Sequence, residues 1–380
     1  MAKIIYSIQS IEKTSGILND DLARSIFAEA ALINHALLHA GKRIAYFFID
    51  PLINPFEAAN HFYFKILGIS SLNKLNCYKS GSGPIQALAD AQELIEHDLY
   101  DAVFICGYEP LLSNKIKYGK AAIQQHMDIF NGPSILHCYH KLAELYSQEL
   151  EIEAESFTSM AEALWQNYQR TFTRTHPKQI PPLRGPNMQA ERAPLFYLTD
   201  CANPNLDFTG GIIMANDETL SGLNISARAL VEVKAVHYAA VEADPLDFKK
   251  IIGSFPHHFP HLQESLNAVQ AAAGLDLVQE VKAKRMLLDL YSCYPPIPLA
   301  FLFTSGLAAN ASSLQKFLAE YEVTLDGGLN LAGAPWNNPV LSSLITIHQL
   351  LPSSSADYAL IHGNGGIGEI QGIGILAKVK

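Results

Sequence analysis

Two glycine-containing stretches of the chain carry side chains that could do acyl chemistry. "SGSGP" holds Ser80 and Ser82, and "HGNGGIG", near the other end, holds His362 and Asn364. A serine can accept an acyl group when a histidine within hydrogen-bond reach takes its proton, and an amide can stabilise the oxyanion. In a fold that brings the two stretches together, Ser80 or Ser82 would pair with His362, with Asn364 or Asn337 as the orienting or oxyanion group. The alternative is that both serines are only turn and cap residues.

The cysteines offer two further candidate nucleophiles. Cys293 closes the run "LLDLYSC" and is expected at the C-terminal edge of a central strand, where α/β sheets bind ligands. It either lines the pocket or acts as a reactive thiol. Cys77 comes shortly before the "SGSGP" stretch and is either a nucleophile or a buried strand residue. The five cysteines are far apart and form no Cys-x-x-Cys, which argues against a disulfide framework and a zinc site.

The glycine spacing Gly363-x-Gly365-x-x-Gly368 matches a dinucleotide-binding fingerprint, but its surroundings do not. That fingerprint needs a helix after the glycines, because the pyrophosphate binds at the helix N-terminus. Here "YALIH" precedes the glycines and the alternating "EIQGIGILAKVK" follows, so we predict two strands and no NAD site. The loop then either lines a cleft with His362 and Asn364 or is a tight hairpin whose glycines serve only for positive φ.

Apolar periodicity predicts similar elements in both halves of the chain. The first half reads as strands at "GKRIAYFFID" and "YDAVFICGYEP" around a helix at "SGPIQALADAQELIEHD", then helices, a Pro-rich loop, and strands at "FTGGIIMAND" and "ALVEVKAVHYAAVE". The second half reads as the helix "FPHLQESLNAVQAAAGL", the strand "RMLLDLYSC", a helix from "PPIPLAFLFTSG", and a glycine loop. A helix then starts at about 339, and Asn337 and Asn338 are expected to cap it.

Composition limits the class of protein and of partner. The 380 residues are 49% hydrophobic and 17% charged, with a net charge of −10 and no long basic block. This predicts an acidic globular protein that does not bind nucleic acid, which would require a Lys/Arg surface. No apolar run reaches the length of a membrane span, and the N-terminus lacks the pattern of a signal peptide. We therefore expect a cytoplasmic protein. The histidines of "FPHHFPH" are interrupted by prolines and aromatics, so we predict a solvated loop and no metal.

The motifs, taken together, resemble those of the thiolase superfamily, in particular acetyl-CoA acetyltransferase-type members near the sterol-carrier-protein thiolases. "LLDLYSCYP", "DGGLNLAGAPWNN" and "IHGNGGIG" are similar to its C-terminal half in order and spacing. "SGSGPIQAL" is similar to its nucleophile-helix region, and "FNGPSILHCYHKLAELYS" to its loop-domain helices. The resemblance covers nearly the whole chain.

The resemblance implies an α/β fold with five αβαβα layers, built from two similar halves. The N-terminal half would span 1–225, with a helical loop domain inserted at about 111–200, and the C-terminal half would span 226–380. It further implies a homodimer or dimer of dimers, acyl-CoA as the ligand, and no cofactor besides this CoA thioester substrate. Gly333, Asn337, Gly365 and Gly366 would contact the CoA thioester.

The sequence departs from the family at each position that normally carries chemistry. The nucleophile position falls on Gly81, or on Ser80 if Pro84 is an insertion. The activating Gly-His-Pro motif reads Gly333-Ala334-Pro335, and the second catalytic cysteine is replaced by His362. An asparagine or histidine of the family becomes Tyr291. We therefore expect an acyl-CoA acyltransferase with an atypical site that includes Ser80, Ser82, Cys293, His362 and Asn364. The alternative is a non-catalytic thiolase-like subunit that binds acyl-CoA or a partner condensing enzyme.

Overall fold

The computed structural model describes residues 1–54, 59–69, 72, 74–127, 133–185, 195–221, 230–241 and 259–379. The strands are β1 Lys3–Glu12, β2 Ile44–Ile49, β3 Leu75–Tyr78, β4 Ala102–Glu109, β5 Asp207–Ala215, β6 Val231–Ala240, β7 Met286–Asp289, β8 Tyr358–Gly365 and β9 Ile370–Lys378. The helices are α1 Asp20–Ile26, α2 Ala28–His39, α3 Ala59–Ile66, α4 Gly83–Glu96, α5 Leu111–Tyr118, α6 Lys120–Met127, α7 Ile135–Glu149, α8 Ala154–Thr175, α9 Asp217–Ser221, α10 Pro260–Ala273, α11 Leu277–Lys282, α12 Pro296–Thr304, α13 Ala311–Glu320, α14 Gly328–Leu331 and α15 Pro339–Leu350. Short 3₁₀ turns lie at Leu198–Asp200 and Leu351–Ser353.

The strands form a mixed sheet in the order β3-β2-β4-β5-β1-β6-β9-β8-β7. In the first group, β3, β2 and β4 are parallel, and β5 runs antiparallel to both β4 and β1. In the second group, β7 and β8 are parallel, and β9 runs antiparallel to both β8 and β6. Only a short β1–β6 ladder joins the groups among the described residues. Strands β2, β4, β5 and β1 therefore correspond to β7, β8, β9 and β6.

Two central helices lie between the two groups of strands. Helix α4 contacts β3 and β4 of the first group, and β6, β8 and β9 of the second. Helix α15 contacts β1 and β5 of the first group and β8 of the second. Helices α1, α2 and α3 cover the outer face of the first group, and α10 and α11 pack on the second. The predicted five-layer arrangement of two similar halves is therefore present.

Strand β2 illustrates why the first group needs helices on both faces. Every residue of β2 is buried, and alternate side chains enter different cores. Tyr46 and Phe48 pack in the outer core with Phe62 of α3, whereas Phe47 and Ile49 join the central core that includes α4. An apolar strand with no polar alternation is the pattern expected of a doubly covered parallel strand.

The N-terminus of each central helix lies on a glycine pair of the opposite group of strands. The pairs Gly107–Gly210 and Gly363–Gly372 occupy the same register positions in β4–β5 and β8–β9. A methyl group on Gly372 would lie 2.9 Å from Ser82 Oγ, before α4. A methyl group on Gly107 would lie 1.8 Å from the side-chain oxygen of the residue before α15, Asn338. The two halves therefore repeat the same local geometry, although no sequence identity between them is visible.

Most predicted elements are present, with some corrections. The chain after the final glycine turn is β9, so the dinucleotide-binding interpretation fails as predicted. Strand β7 is a sheet edge among the described residues, and Cys293 lies beyond its end, not on a central strand. Asn338 occupies the N-cap of α15 but makes no side-chain capping bond. The proposed boundary at 225 and 226 falls outside the described residues, so the domain limits stay a prediction.

Candidate active site

The predicted serine bend lies directly against the late glycine turn. A methyl group on Gly365 would be 2.9 Å from Ser80 Oγ, and one on Gly363 would be 3.4 Å from Ser82 Cα. Ser80 adopts a left-handed backbone with φ of 88°, which few non-glycine residues adopt. Its amide donates to Asn337 Oδ1 at 3.2 Å, which fixes the bend against the loop before α15. The structure therefore brings the serine, asparagine and glycine motifs together.

The predicted hydrogen bond between a serine and His362 is absent from the described part of the chain. Ser80 Oγ and Ser82 Oγ are buried and have no hydrogen-bond partner there. Gly363 and Gly365 of β8 face the serines, so the alternating side chains of His362 and Asn364 leave the opposite face of the strand. The expectation that His362 activates Ser80 or Ser82 is corrected by this strand geometry.

On that opposite face, His362 begins an ordered chain of polar contacts. Its imidazole packs on Phe301, with ring centroids 4.9 Å apart, and its Nε2 lies 2.7 Å from Gln371 Oε1. The Gln371 amide nitrogen donates to Asn364 Oδ1 at 2.6 Å and to the carbonyl of Gly368 at 3.0 Å. Because both of those partners are acceptors, the Gln371 oxygen must face the ring, and His362 must carry its proton on Nε2.

The same chain of contacts continues from Asn364 to a thiol. Asn364 Nδ2 donates to Tyr139 Oη at 3.1 Å, and Tyr139 Oη donates to the carbonyl of Gly366 at 2.7 Å. Cys293 Sγ donates to the same Tyr139 oxygen at 3.8 Å and lies 3.9 Å from Asn364 Nδ2. Of the predicted catalytic residues, His362, Asn364 and Cys293 therefore share one polar cluster, which Gln371 and Tyr139 complete.

Burial sets the protonation states in this cluster. Burial lowers the pKa of His362 to about 4, so the imidazole is neutral near pH 7 and its Nδ1 is an unoccupied base among the described residues. Burial raises the pKa of Cys293 to about 12, so the resting thiol keeps its proton. A reaction at Cys293 would therefore require the proton to be taken as the electrophile arrives.

Gly81, one of the two positions predicted for a nucleophile, has no room for a side chain. A methyl group on Gly81 would lie 2.0 Å from Tyr291 Oη and 2.4 Å from the carbonyl oxygen of Asn364. These separations are far below van der Waals contact. The hydroxyl of Tyr291 thus lies where a side chain at position 81 would begin.

A narrow inner cavity of about 30 Å³ adjoins this position. Its lining includes Tyr291, Gly333, Asp289 and Asp326, together with residues at the start of α15. Burial, and then the charge of Asp326, raises the pKa of Asp289. A space of this size holds about one or two water molecules and no acyl chain.

A larger outer groove of about 420 Å³ opens on the helices that follow β4. Its walls include Lys115 and Lys120 together with apolar side chains, and Cys201 through Asn205 form one side. That side is joined to the inner motifs, because the amide of Ala202 donates to the carbonyl of Cys293 at 2.7 Å. Two further backbone bonds of 2.9 Å tie Asn203 to Leu329 and Ala334. The groove and the Cys293 cluster are therefore neighbours.

The other predicted residues have structural settings of different kinds. Gly333 has φ of 103°, and a methyl group there would meet Leu206 at 2.4 Å, so it is required for packing. Cys77 lies on β3 and is exposed, which corrects the buried alternative. His261 is buried in α10 and lies 2.7 Å from the Gly368 carbonyl, so it is not in a solvated loop. Residues 255–258 of the histidine-rich stretch lie outside the described residues.

The sequence interpretation missed Tyr139 and Gln371 as members of the site. Tyr139 comes from α7, far along the chain from the glycine turn, and it stacks on Tyr294 with ring centroids 3.8 Å apart. Gln371 is fully buried on β9. Its position in an otherwise apolar and glycine-rich strand was the available signal, since a buried amide needs polar partners.

Comparisons with known proteins identify the fold. Neither a protein-family model nor a curated protein matches the sequence, whereas many solved structures match the coordinates. A monomeric SCP2-thiolase like protein type 1 from Mycobacterium smegmatis is 18% identical with a TM-score of 0.73, over 100% of this chain and 77% of that chain. The Ltp2-ChsH2(DUF35) aldolase is 14% identical with a TM-score of 0.70, over 99% and 97%. The Acat5 thiolase from Ascaris suum, solved with coenzyme A, is 13% identical with a TM-score of 0.65, over 100% of both chains. The chain therefore has a thiolase-like fold.

Proposed function

We propose that this chain is a thiolase-like acyl-CoA acyltransferase whose acyl acceptor is Cys293. The observation that carries the proposal is the backbone bond from Ala202, on the side of the outer groove, to Cys293, within the polar cluster. This contact joins the Cys293 backbone to the wall of a groove large enough for part of a CoA thioester.

The outer groove suits a phosphorylated carrier with an apolar arm. Lys115 and Lys120 supply cationic groups for phosphates, and Ile123, Met127 and Trp165 supply apolar surface. A thiolase of the same fold was solved with coenzyme A. In this proposal the phosphates lie near the lysines and the thioester points toward Ala202.

Cys293 is a better acceptor than either serine. The serine hydroxyls have no base within hydrogen-bond distance among the described residues, and the strand separates them from His362. Cys293 has the Asn364 amide beside it, a donor that could stabilise an oxyanion. The sulfur would attack the thioester carbonyl, the bond from the acyl carbon to CoA sulfur would break, and the thiol proton would pass to the CoA thiolate.

The direct test is acyl transfer measured by mass. The protein is incubated with acetyl-CoA and longer acyl-CoA thioesters, and CoA release and intact mass are followed. We expect an acyl adduct on the Cys293 peptide that is absent in Cys293→Ala and retained in Cys138→Ala, a change at another buried cysteine. An adduct on Ser80 or Ser82, or neither adduct nor CoA release at any chain length, would contradict the assignment.

Binding to the groove is tested separately from chemistry. Lys115→Ala and Lys120→Ala should each weaken CoA binding in calorimetry, and the loss should shrink at high salt because the contact is electrostatic. Lys117→Ala is the matched control, since Lys117 is on α5 with Lys115 but lies over the ring of Tyr118 and is not among the residues that line the groove. If all three substitutions weakened CoA binding equally, the groove would not be the CoA-binding site.

The second candidate is a non-catalytic subunit. It is favoured by the Tyr291 hydroxyl at the nucleophile position and by the small inner cavity. A similar structure is a complex with a DUF35 partner. In this case the chain alone would bind CoA without releasing it from thioesters, and turnover would appear only on mixing with a cysteine-bearing homologue. Activity of the purified chain alone, as homodimer or monomer, would exclude this alternative.

A further inference from the structure

Cys201 and Cys293 lie on opposite sides of one backbone hydrogen bond, at the boundary between the outer groove and the polar cluster. The amide that follows Cys201, that of Ala202, donates to the carbonyl of Cys293 at 2.7 Å. A peptide nitrogen lies about 2.4 Å from the preceding Cα, and a carbonyl oxygen lies about as far from its own Cα. The two cysteine Cα atoms are therefore at most about 7.5 Å apart, and the angles of a real hydrogen bond shorten this further.

The side chains of the two cysteines occupy the same environment. Both are buried and unbridged in the structure. Burial, then the charge of Asp200 and then that of Cys293, raises the pKa of Cys201. Burial, followed by the charges of Cys201 and Cys293, raises the pKa of Tyr294. These shared influences agree with the backbone bond, which brings the two residues together.

We propose that Cys201 and Cys293 form a reversible disulfide when the protein meets hydrogen peroxide or oxidised glutathione. Disulfides join cysteines with Cα separations of about 4.4–6.8 Å, which the bound above permits. Each side chain must first turn about its Cα–Cβ bond, because Cys201 Sγ donates to the Tyr197 carbonyl and Cys293 Sγ donates to Tyr139. The inference does not rest on the proposed acyl transfer.

The chemistry balances with either oxidant. With hydrogen peroxide, one thiol loses its proton and its sulfur attacks the peroxide, which gives a sulfenic acid and a hydroxide that takes up that proton as water; the second thiol then attacks the sulfenic sulfur, forming the S–S bond and releasing a second water. With oxidised glutathione, two successive exchanges release two molecules of reduced glutathione. Because burial raises the pKa of both thiols, oxidation of the folded protein should be slow at neutral pH and faster at higher pH.

A disulfide here would covalently link the wall of the outer groove to the polar cluster. Cys201 lines the groove, and Cys293 contacts Tyr139 and Asn364. The bridge would also join distant parts of the chain, which restricts the unfolded state. The oxidised protein should therefore melt about 5 °C higher than the reduced protein.

The experiment uses the full chain with Cys77→Ser, which removes the exposed thiol and leaves four of the five cysteines. The folded protein is treated with peroxide at neutral and high pH, and a second sample is unfolded and refolded in a glutathione redox buffer. Non-reducing peptide mapping identifies the linked residues. We expect one intramolecular bridge between the Cys201 and Cys293 peptides in the refolded sample, whatever the rate in the folded sample.

Two further variants distinguish the Cys201–Cys293 pair from another buried cysteine, Cys138. Adding Cys201→Ser should abolish the linked peptide and the rise in melting temperature, whereas adding Cys138→Ser should preserve both. Cys138 is also buried but is on α7. No Cys201–Cys293 peptide in either sample, or a dominant bridge to Cys138, would overturn the proposal. Acyl transfer by the reduced protein would be unaffected by that result, so the two proposals can fail independently.

Discussion

At the scale of single residues, Gly81 shows how closely the serine bend packs against the rest of the site. Its backbone has ordinary φ, so the glycine is required by contacts and not by conformation. Tyr291 Oη and the Asn364 carbonyl fill the space that any side chain at this position would need. A side chain at position 81 is therefore excluded by packing.

This packing predicts the effect of a single methyl group. Gly81→Ala should lower the free energy of unfolding by about 2–3 kcal/mol, because the new methyl overlaps a hydroxyl and a backbone oxygen. Urea unfolding measures the change. Gly185→Ala is the control, since no atom of the described residues lies within 4 Å of a methyl group there. Equal unfolding midpoints for the two variants would contradict the contacts described at Gly81.

The buried imidazole of His362 makes stability depend on pH. Its folded-state pKa is lowered to about 4 from an unfolded value of about 6.5, so its stabilisation is present above pH 6.5 and is lost as pH falls through 4. The loss should approach about 3 kcal/mol.

His362→Gln should flatten this decline in stability between about pH 6.5 and pH 4. Urea unfolding at a series of pH values measures the slope in the wild type and the variant. His35→Gln, on the exposed surface of α2, is the control and should keep the wild-type slope. A wild-type slope in His362→Gln would show that other groups cause the acid sensitivity.

At the scale of elements, the helices differ in how their N-cap residues contribute to the free energy of unfolding. Asn310 precedes α13, accepts from the Ser313 amide at 2.9 Å and completes a capping box. Asn338 precedes α15 in the equivalent place, but it is fully buried, and both polar atoms of its amide lack partners among the described residues. A buried amide without partners is destabilising, whereas a cap bond stabilises.

Removal of the two asparagine side chains should therefore have different effects on the free energy of unfolding. Asn310→Ala should lower the free energy of unfolding by about 1 kcal/mol. Asn338→Ala should leave it unchanged or raise it, because losing the unsatisfied amide offsets the small cavity. Thermal and urea unfolding of both variants measure the difference. A loss of about 1 kcal/mol or more at Asn338 would mean that its amide is satisfied after all.

At the scale of the whole molecule, the central helices make the two halves interdependent. Helices α4 and α15 each pack on strands of both groups, and the same core cluster runs through both. Neither half could keep its inner face buried if the other unfolded.

None of the described helices is long and apolar enough to cross a membrane.

This interdependence predicts one cooperative unfolding transition. The two tryptophans are suitable probes, because Trp165 lies on α8 and Trp336 lies just before α15. In variants that keep only one tryptophan, the fluorescence midpoint in urea should coincide with the far-UV circular dichroism midpoint of the same variant. Separate midpoints in either variant would show that part of the molecule unfolds independently.

Local sequence patterns were enough to predict the main elements. The apolar run of β2, the periodicity of α4 and the alternation after the last glycine turn each predicted its element, and the last of these also argued against a dinucleotide site. The family resemblance supplied the five-layer arrangement, which in turn predicted that the serine bend meets the glycine turn. The homodimer, the cytoplasmic location and the roles of the site residues stay predictions.

Which side chains share a face followed from long-range packing. A shift of one residue along a strand moves every side chain to the other face, and the sequence does not state which face of β8 meets α4. Once Gly363 and Gly365 meet the serines, His362 and Asn364 must turn toward Gln371, Tyr139 and Cys293. Long-range packing thus separated the predicted Ser–His pair and placed the thiol with the polar cluster, because contact across a strand depends on register and not on the type of residue.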